Sequence, residues 1–133
     1  MTMRVALVMP EGELWAGSAE RVIAKTMEGD IGLLTGHSPV IGVLAPGSVV
    51  RILPQDAADE IAAAVDGGFL SVADDRVAIL ARRAMLGPDV DRAAVRAELE
   101  AEGAGEIEPG HGADEPPEVR YLRAQLQVSG DRG

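Results

Sequence analysis

Few side chains in this sequence have the type and spacing that catalysis or metal binding requires. The chain has no cysteine, and its only histidines are His37 and His111. The missing cysteines exclude a disulfide, a thiolate metal site and a thiol nucleophile. His37 has no second imidazole at a metal-ligand spacing, and His111 lies in a glycine-rich acidic segment. We therefore expect His37 to be a turn residue that hydrogen-bonds to the backbone.

The acidic residues and glycines offer no better catalytic group. Asp74-Asp75 and the pair Glu11 and Glu13 lie at predicted turns, where acids are ordinarily solvated. The glycine-rich stretch from Gly29 to Pro39 lacks the Gly-Lys-Ser/Thr ending of a phosphate-binding loop and is not followed by a helix. The sequence therefore predicts a protein without catalytic or metal-binding residues.

The stretch 29–39 instead indicates several sharp reversals of the chain. Gly29, Gly32 and Gly36 interrupt a short apolar run, and glycine adopts positive φ without a Cβ clash. Pro39 restricts Ser38 to an extended conformation. We expect a hairpin, a very short strand and a turn.

Most of the chain before residue 88 has the alternation and turn residues typical of strands. Asp66-Gly67-Gly68 is predicted to form a tight turn between two of them. Many short strands with glycine-rich turns predict an antiparallel β-sandwich or barrel, with Trp15 and Phe69 in its core. The predicted strands are Arg4–Met9, Glu13–Ala16, Arg21–Thr26, Ser48–Leu53, Glu60–Val65, Phe69–Ala73 and Arg76–Ala81.

Helical patterns follow. Asp89 is predicted to cap a helix over Val90–Glu102 that Gly103 ends, and a second helix is predicted from about Pro117, with Asp114 or Glu115 near its cap. This divides the chain into a sandwich at 1–87 and a helix–linker–helix region at 88–133. The second helix carries an apolar stripe that is expected either to pack within the chain or to bind another subunit. The stripe consists of Val119, Leu122 and Leu126.

Composition restricts the partners. The 133-residue chain is 47% hydrophobic but 2% aromatic, so its core must be aliphatic. Its net charge of -10 argues against nucleic acid and against direct binding to anionic lipid. Between Glu98 and Glu118 lie eight acids and no Lys or Arg, so 103–116 is predicted to be a flexible linker. The sequence has no signal peptide and no apolar run long enough to span a bilayer, which predicts a cytosolic protein or one bound to something cytosolic.

Three ordered blocks carry a family resemblance. Gly29–Pro39 has the form Gly-acidic-x-Gly-x-x-x-Gly-His-x-Pro, Pro46-Gly47 precedes a strand, and Gly67-Gly68-Phe69-Leu70 begins another. With this order and spacing, residues 3–93 closely resemble the epsilon subunit of bacterial F-type ATP synthases, and the short second helix resembles that of actinobacterial members.

The resemblance implies a non-catalytic subunit of the rotor, at the cytoplasmic face of the bacterial membrane. In the family the sandwich binds the gamma subunit and rests on the c-ring, coupling c-ring rotation to ATP synthesis. Asp30 and His37 match the residues at these rotor contacts. The carboxy-terminal helices of the family extend toward the alpha/beta catalytic head and inhibit ATP hydrolysis. The alternatives are a stand-alone sandwich that binds a ligand or another protein and, least supported by the residues, a hydrolase.

The resemblance also raises ATP as a regulatory ligand, although no other cofactor is expected. Asp89-Val90-Asp91-Arg92-Ala93 matches the core of the motif with which some members bind ATP, so Asp89 would accept from the adenine amine and Arg92 would approach the phosphates. The chain departs from that pattern at Pro88, at Arg82-Arg83 and at Leu99. The alternative is that Asp89 is a helix cap and Arg92 a surface residue.

Overall fold

The computed structural model describes residues 2–56, 59–102 and 115–130 of the chain. Within these ranges strands precede two helices, which confirms the predicted β-sandwich followed by a helical hairpin. The elements are β1 (Met3–Met9), β2 (Gly12–Thr26), β3 (Gly29–Leu34), β4 (Val40–Pro54), β5 (Ile61–Ala73), β6 (Arg76–Ala81), β7 (Ala84–Leu86), a 3-10 turn (Gly87–Asp89), α1 (Arg92–Ala101) and α2 (Pro117–Gly130).

The sheet closes on itself. Its strands pair in the order β1-β6-β5-β4-β2-β3, and β2 also pairs with β1. All neighbours are antiparallel except β1 and β6, which are parallel. Strand β7 adds to β5 outside this circuit. Because the circuit is closed, its strands leave few unpaired edges.

Strands β2, β4 and β5 are longer than the sequence predicted. The segments Glu13–Ala16 and Arg21–Thr26 both belong to β2, and the predicted strand Ser48–Leu53 is the second part of β4. Strand β2 has register shifts between Ala19 and Arg21 and again near its end. Such irregularities bend a strand and increase its twist, so one long strand can serve both layers of the sandwich.

The predicted tight turn at Asp66-Gly67-Gly68 is wrong. Both halves of β5 stay paired with β4, since Asp66 lies opposite Pro46 and Gly68 opposite Leu44. The positive φ values of Gly67 and Gly68, 76° and 133°, bend the strand without reversing it. The sequence correctly indicated that these glycines change the direction of the chain. Pairing with β4 makes that change a bend within one strand and not a turn between two.

The core between the layers is aliphatic, as predicted from the composition. It is built from Val, Ile, Leu, Ala and Met side chains of β1 to β7, and Trp15 packs against it partly buried. The prediction for Phe69 is wrong because 55% of this residue is exposed. Side chains alternate along a strand, and on β5 Leu70 and Val72 take the interior positions.

The first helix begins later than predicted. Gly87–Asp89 form a 3-10 turn and Val90 is extended, so the helix cannot start at Val90. Asp91 is the N-cap, and its Oδ1 accepts a hydrogen bond of 3.1 Å from the N–H of Ala94. The prediction that Asp89 caps the helix is therefore wrong by two residues.

The second helix begins at Pro117, as predicted. Glu115 lies near the start of this helix, as predicted, and its carboxylate accepts two bonds, of 2.8 and 2.9 Å, from Nε of Arg123. Glu115 therefore lies against α2. The rest of the predicted linker, from 103 to 114 with His111 and Asp114, lies outside the described residues, and Pro116 directly precedes the helix.

Candidate partner-binding surfaces

A row of apolar side chains lies on the outer surface of the sheet. Val8 of β1, Leu80 of β6, Phe69 of β5 and Val43 of β4 are direct neighbours in register. Leu80, Phe69 and Val43 are each about half exposed, and Ile41, two residues from Val43 on the same face, is 77% exposed. We call these five residues the open row.

A shallow cavity of about 460 Å³ adjoins the open row. Val8, Phe69 and Leu80 line it together with Met9 and Pro10, and the charged side chain at its rim is Arg82. Large apolar patches on a soluble protein commonly mark a surface that another protein covers. Aliphatic and aromatic side chains beside a concave surface are the composition of such interface centres.

Sequence reasoning missed the open row, although β6 contained a signal for it. A strand with one face in water should alternate apolar and polar residues. From Val77 to Ala81, β6 has no polar residue, and Val5–Met9 of β1 shows the same pattern. Two continuous apolar strands in a sheet with a solvated outer face predict a covered outer surface.

Asp30 and His37 lie at opposite ends of β3. Asp30 is exposed beside the β2–β3 turn, directly opposite Lys25. His37 follows the other end, where its Nδ1 lies 2.7 Å from the carbonyl oxygen of Ser38. The strand from Asp30 to Leu34 alone spans about 13 Å at a rise of about 3.3 Å per residue. The two residues therefore do not form one site, and the contact of His37 with Ser38 is the backbone hydrogen bond expected of a turn histidine.

The other notable face of the sandwich is covered by α2. Tyr121, Ala124 and Val128 of the helix are buried together with Ala64 of β5. On its opposite side α2 packs against α1, where Val119 and Leu122 contact the cluster of Val95 and Leu99, and Leu126 packs against the same cluster. The apolar stripe predicted on α2 thus packs within the chain, and a second apolar face, not predicted, lies on the sandwich. We call the surface under α2 the covered face.

Two glycines allow α2 to lie close to the sheet. A Cβ on Gly47 would come within 2.6 Å of three atoms of Arg120 and Tyr121, two of them backbone, and Gly47 has a φ of 63°. A Cβ on Gly87 would lie 2.7 Å from the carbonyl oxygen of Val128. Larger residues at either position would force the helix away from the sheet.

An ion cluster joins the covered face to α2. The carboxylate of Asp66 is buried, and it accepts hydrogen bonds from Arg82 at 2.9 Å and from Arg83 at 2.7 and 3.0 Å. Arg83 also donates to Glu118 of α2 at 2.8 Å, and its guanidinium lies 4.5 Å from the centre of the Tyr121 ring. Arg83 is thus the residue of this cluster that contacts both the sandwich and the helix.

These contacts change the acid–base properties of two groups. Burial by itself would lower the pKa of Arg83, but its hydrogen bonds and ion pairs with Glu118 and Asp66 raise that pKa overall. Burial raises the pKa of Tyr121 above its ordinary value, against a lowering by the nearby Arg83 charge. Both shifts favour the protonated form of the group.

Asp89 and Arg92 lie at the junction between the sandwich and α1. Asp89 ends the 3-10 turn, Arg92 is the first residue of α1, and both are exposed. Since Asp91 is the helix cap, Asp89 has no capping role. Their part in nucleotide binding remains a prediction.

Neither a metal site nor a membrane span is present in the described parts of the chain. Across 2–56, 59–102 and 115–130 no three His, Asp or Glu side chains are grouped to hold a metal ion. Neither of the described helices has the length and hydrophobicity needed to cross a bilayer.

Comparison with known proteins identifies the fold and its family. The family model for the β-sandwich domain of ATP synthase delta/epsilon chains matches residues 2–87. In overall fold the chain is similar to one in the mitochondrial ATP synthase OSCP/F1/c-ring structure of Euglena gracilis, with a TM-score of 0.68 and 20% identity over 97% of this chain and 78% of that one. A chain of the Tetrahymena thermophila central stalk/c-ring structure gives a TM-score of 0.56 at 20% identity, over 99% of this chain and 96% of that one.

The sequence relatives identify the family more narrowly than the solved structures do. The ATP synthase epsilon chain of Thermobifida fusca is 53% identical over 108 residues, which cover 78% of this chain and 79% of that relative. The epsilon chain of Frankia casuarinae is 51% identical over 86 residues, or 65% of this chain and 99% of the relative. The chain therefore belongs to the epsilon chain family of ATP synthases.

Proposed function

We propose that the protein is a non-catalytic subunit of the rotor in a proton-translocating F-type ATP synthase, at the cytoplasmic face of a bacterial membrane. The observation that carries this proposal is the open row, on a sandwich of the epsilon family. A half-exposed Phe69 beside exposed Leu80 and Val43 is costly in water, and burial by a partner stabilises it by roughly 25 cal/mol per Å² of apolar surface.

The gamma subunit is the partner we assign to the open row. The row runs across β1, β6, β5 and β4, so a binding element would contact a rigid sheet and not a loop. A rigid surface transmits torque without losing the displacement in its own deformation. This contact would make the sandwich rotate with gamma.

The c-ring is the partner we assign to the ends of β3. Asp30 is exposed and forms no ion pair within the described residues, so it is free to meet a basic or polar loop of the ring. An exposed ion pair of this kind contributes about 0.2–1 kcal/mol, mostly to the register of the contact. Asp30→Lys should weaken coupled proton pumping. Unchanged coupling with normal subunit content would remove Asp30 from the contact.

Co-purification tests the assignment to the complex. Tagged protein expressed in its own host should bring down gamma and c subunits from gently solubilised membranes. If the tagged protein repeatedly returns alone, the synthase proposal fails and the stand-alone binding module takes its place. The open row would then be the binding surface of that module.

The carboxy-terminal helices are proposed to regulate ATP hydrolysis. Here α2 lies against the sandwich and α1, which is the conformation that leaves the catalytic head uninhibited in our proposal. The sandwich side of this contact consists mainly of small residues, whereas α2 itself contributes Tyr121 and Val128, so release of the helix would expose these side chains. Deleting residues 104–133 should raise membrane ATPase activity. An equal rate in fully occupied complexes would leave the helices with a stabilising role only.

ATP remains a candidate regulatory ligand through Asp89 and Arg92. Both side chains are exposed and available at the start of α1. Titration calorimetry of the full chain with ATP should show binding that is lost in both Asp89→Ala and Arg92→Ala. The absence of heat at several millimolar ATP would end this proposal.

A further inference from the structure

We infer that Asp75 is a positioning residue that fixes the Gly36–His37 end of the candidate rotor contact against the sandwich. Asp75 lies in the turn between β5 and β6, far from Gly36 in the sequence and next to it in the structure. The inference rests on the proposed role of the His37 region in contacting the c-ring. It assigns a function to a residue that no motif singled out.

Asp75 holds together three segments of the chain. Its Oδ1 accepts a hydrogen bond of 2.6 Å from the backbone N–H of Gly36. Its own carbonyl oxygen accepts a bond of 2.8 Å from the N–H of Arg4, at the start of β1. The loop after β3 is thereby tied to a turn that is itself tied to β1.

The loop has little other attachment to the sandwich. Residues 37–39 have no regular secondary structure, and Gly36, Ser38 and Pro39 are exposed. The two hydrogen bonds of His37 itself are local, from its N–H to the oxygen of Leu34 at 3.1 Å and between its ring and the carbonyl oxygen of Ser38. Local bonds shape the loop but do not fix its place relative to the sheet. Within the described residues, the bond to Asp75 is the one hydrogen bond that does so.

The turn is built to present this carboxylate. Asp74 and Asp75 have φ values of 52° and 59°, in the left-handed region that Asp and Asn tolerate better than most residues. A carboxylate that accepts from a backbone N–H forms one of the stronger hydrogen bonds available. Asp75 thus combines the backbone conformation of the turn with an acceptor aimed at Gly36, whereas Asp74 forms no side-chain hydrogen bond within the described residues.

Three variants separate these properties. Asp75→Gly keeps the positive φ and removes the acceptor. Asp75→Asn keeps both an acceptor oxygen and the turn conformation. Asp74→Gly is the matched control, because it introduces the same backbone freedom in the same turn without removing a contact.

The first measurement is amide hydrogen exchange at Gly36 in the full chain. Loss of a hydrogen bond to a charged acceptor should speed exchange about tenfold in Asp75→Gly. Exchange should be close to wild type in Asp75→Asn and in Asp74→Gly. An unchanged Gly36 rate in Asp75→Gly would overturn the positioning role itself.

The second measurement is ATP-driven proton pumping in membranes that contain the full complex. Asp75→Gly should reduce the pumping per ATP hydrolysed, with normal amounts of the subunit in the complex, and Asp75→Asn should restore it. If Gly36 exchange rises but pumping does not fall, the loop is not a rotor contact and the inference fails at that step. The wider assignment to the complex is decided separately by co-purification with gamma and c subunits.

Discussion

The open row and the covered face are two apolar surfaces of one sandwich, and β5 contributes to both. Ala64 of β5 lies buried under α2, whereas Phe69, five residues later, is half exposed in the open row. The covered face consists mainly of small residues, with Val49 beside them and glycines that admit a helix, and it has a buried acid paired to two arginines. The open row consists of apolar side chains, with Arg82 at the rim of the adjoining cavity.

This difference indicates two kinds of contact. On the covered face the sandwich contributes mainly small residues and an ion cluster, and the larger apolar side chains of the contact, Tyr121 and Val128, belong to α2. Large aliphatic and aromatic side chains suit a contact that stays formed once made, because their exposure is costly each time.

The largest effect is expected from a charge placed in the open row. Phe69→Glu should weaken association with gamma about 100-fold or more, since truncation or charging of a central aromatic residue commonly costs several kcal/mol at an interface. The stability of the isolated chain should change by less than about 0.5–1 kcal/mol, because Phe69 is already half exposed. Binding measured with purified subunits checks this.

Leu34→Glu is the control for that substitution. Leu34 is similarly exposed but lies on β3, outside the open row. The affinity of the Leu34→Glu variant for gamma should stay near that of the wild type. Equal losses in both variants would show that the open row is not a distinct binding surface.

The covered face should respond most strongly to Gly47→Ala. The new Cβ would overlap backbone atoms of α2, and the positive φ adds strain, so the free energy of unfolding should fall by about 2–4 kcal/mol. Hydrogen exchange should show α2 released before the sandwich unfolds.

Gly67→Ala is the control for Gly47→Ala, because it measures the energetic cost of a positive φ without a steric overlap. Gly67 has a similar φ of 76°, and a Cβ there would meet nothing within 4 Å. The free energy of unfolding of the Gly67→Ala variant should fall by only about 1–2 kcal/mol, and α2 should stay protected from hydrogen exchange. If both variants behave alike, close packing of α2 on Gly47 does not hold the helix.

A smaller effect is expected from Arg83→Met. The change removes one of the two arginines on the buried Asp66 and the link to Glu118, so unfolding free energy should fall by about 1–3 kcal/mol, and α2 should exchange faster. Urea unfolding measures the first effect and hydrogen exchange the second. Arg82→Met also removes one ion pair of the buried Asp66, but Arg82 forms no ion pair with α2. Greater loss of α2 protection in the Arg82 variant would contradict the assignment of Arg83 as the link.

The smallest effect is a pH dependence from Tyr121. Burial raises the pKa of its phenol in the folded chain, so the unfolded chain ionises first as the pH rises. The contribution to stability is therefore complete below about pH 10, the ordinary tyrosine pKa, and is lost progressively above it. Urea unfolding between pH 8 and 11 should show this loss in wild type. Tyr121→Phe should show a smaller decrease; an identical decrease in both would assign it to other groups.

Much of the local structure was predictable, because it depends on neighbours in sequence. The glycines, prolines and alternating residues located most of the strands, and Asp74-Asp75 was correctly placed in a turn. Pro117 was correctly identified as the start of α2. The aliphatic core followed from the composition. The helix cap was misplaced by two residues, since a 3-10 turn at Gly87–Asp89 leaves no strong local signal.

The sequence by itself determined the family, the sandwich class and the helical end of this protein, because ordered blocks and local periodicity survive in the linear chain. Only the tertiary structure decided that Gly67-Gly68 bend a strand and do not end it, since pairing with β4 on both sides outweighs the turn tendency. It likewise decided that Phe69 faces outward and that Arg83 meets both Asp66 and Glu118. Such contacts join residues far apart in the chain, and no local pattern specifies which distant residues will meet.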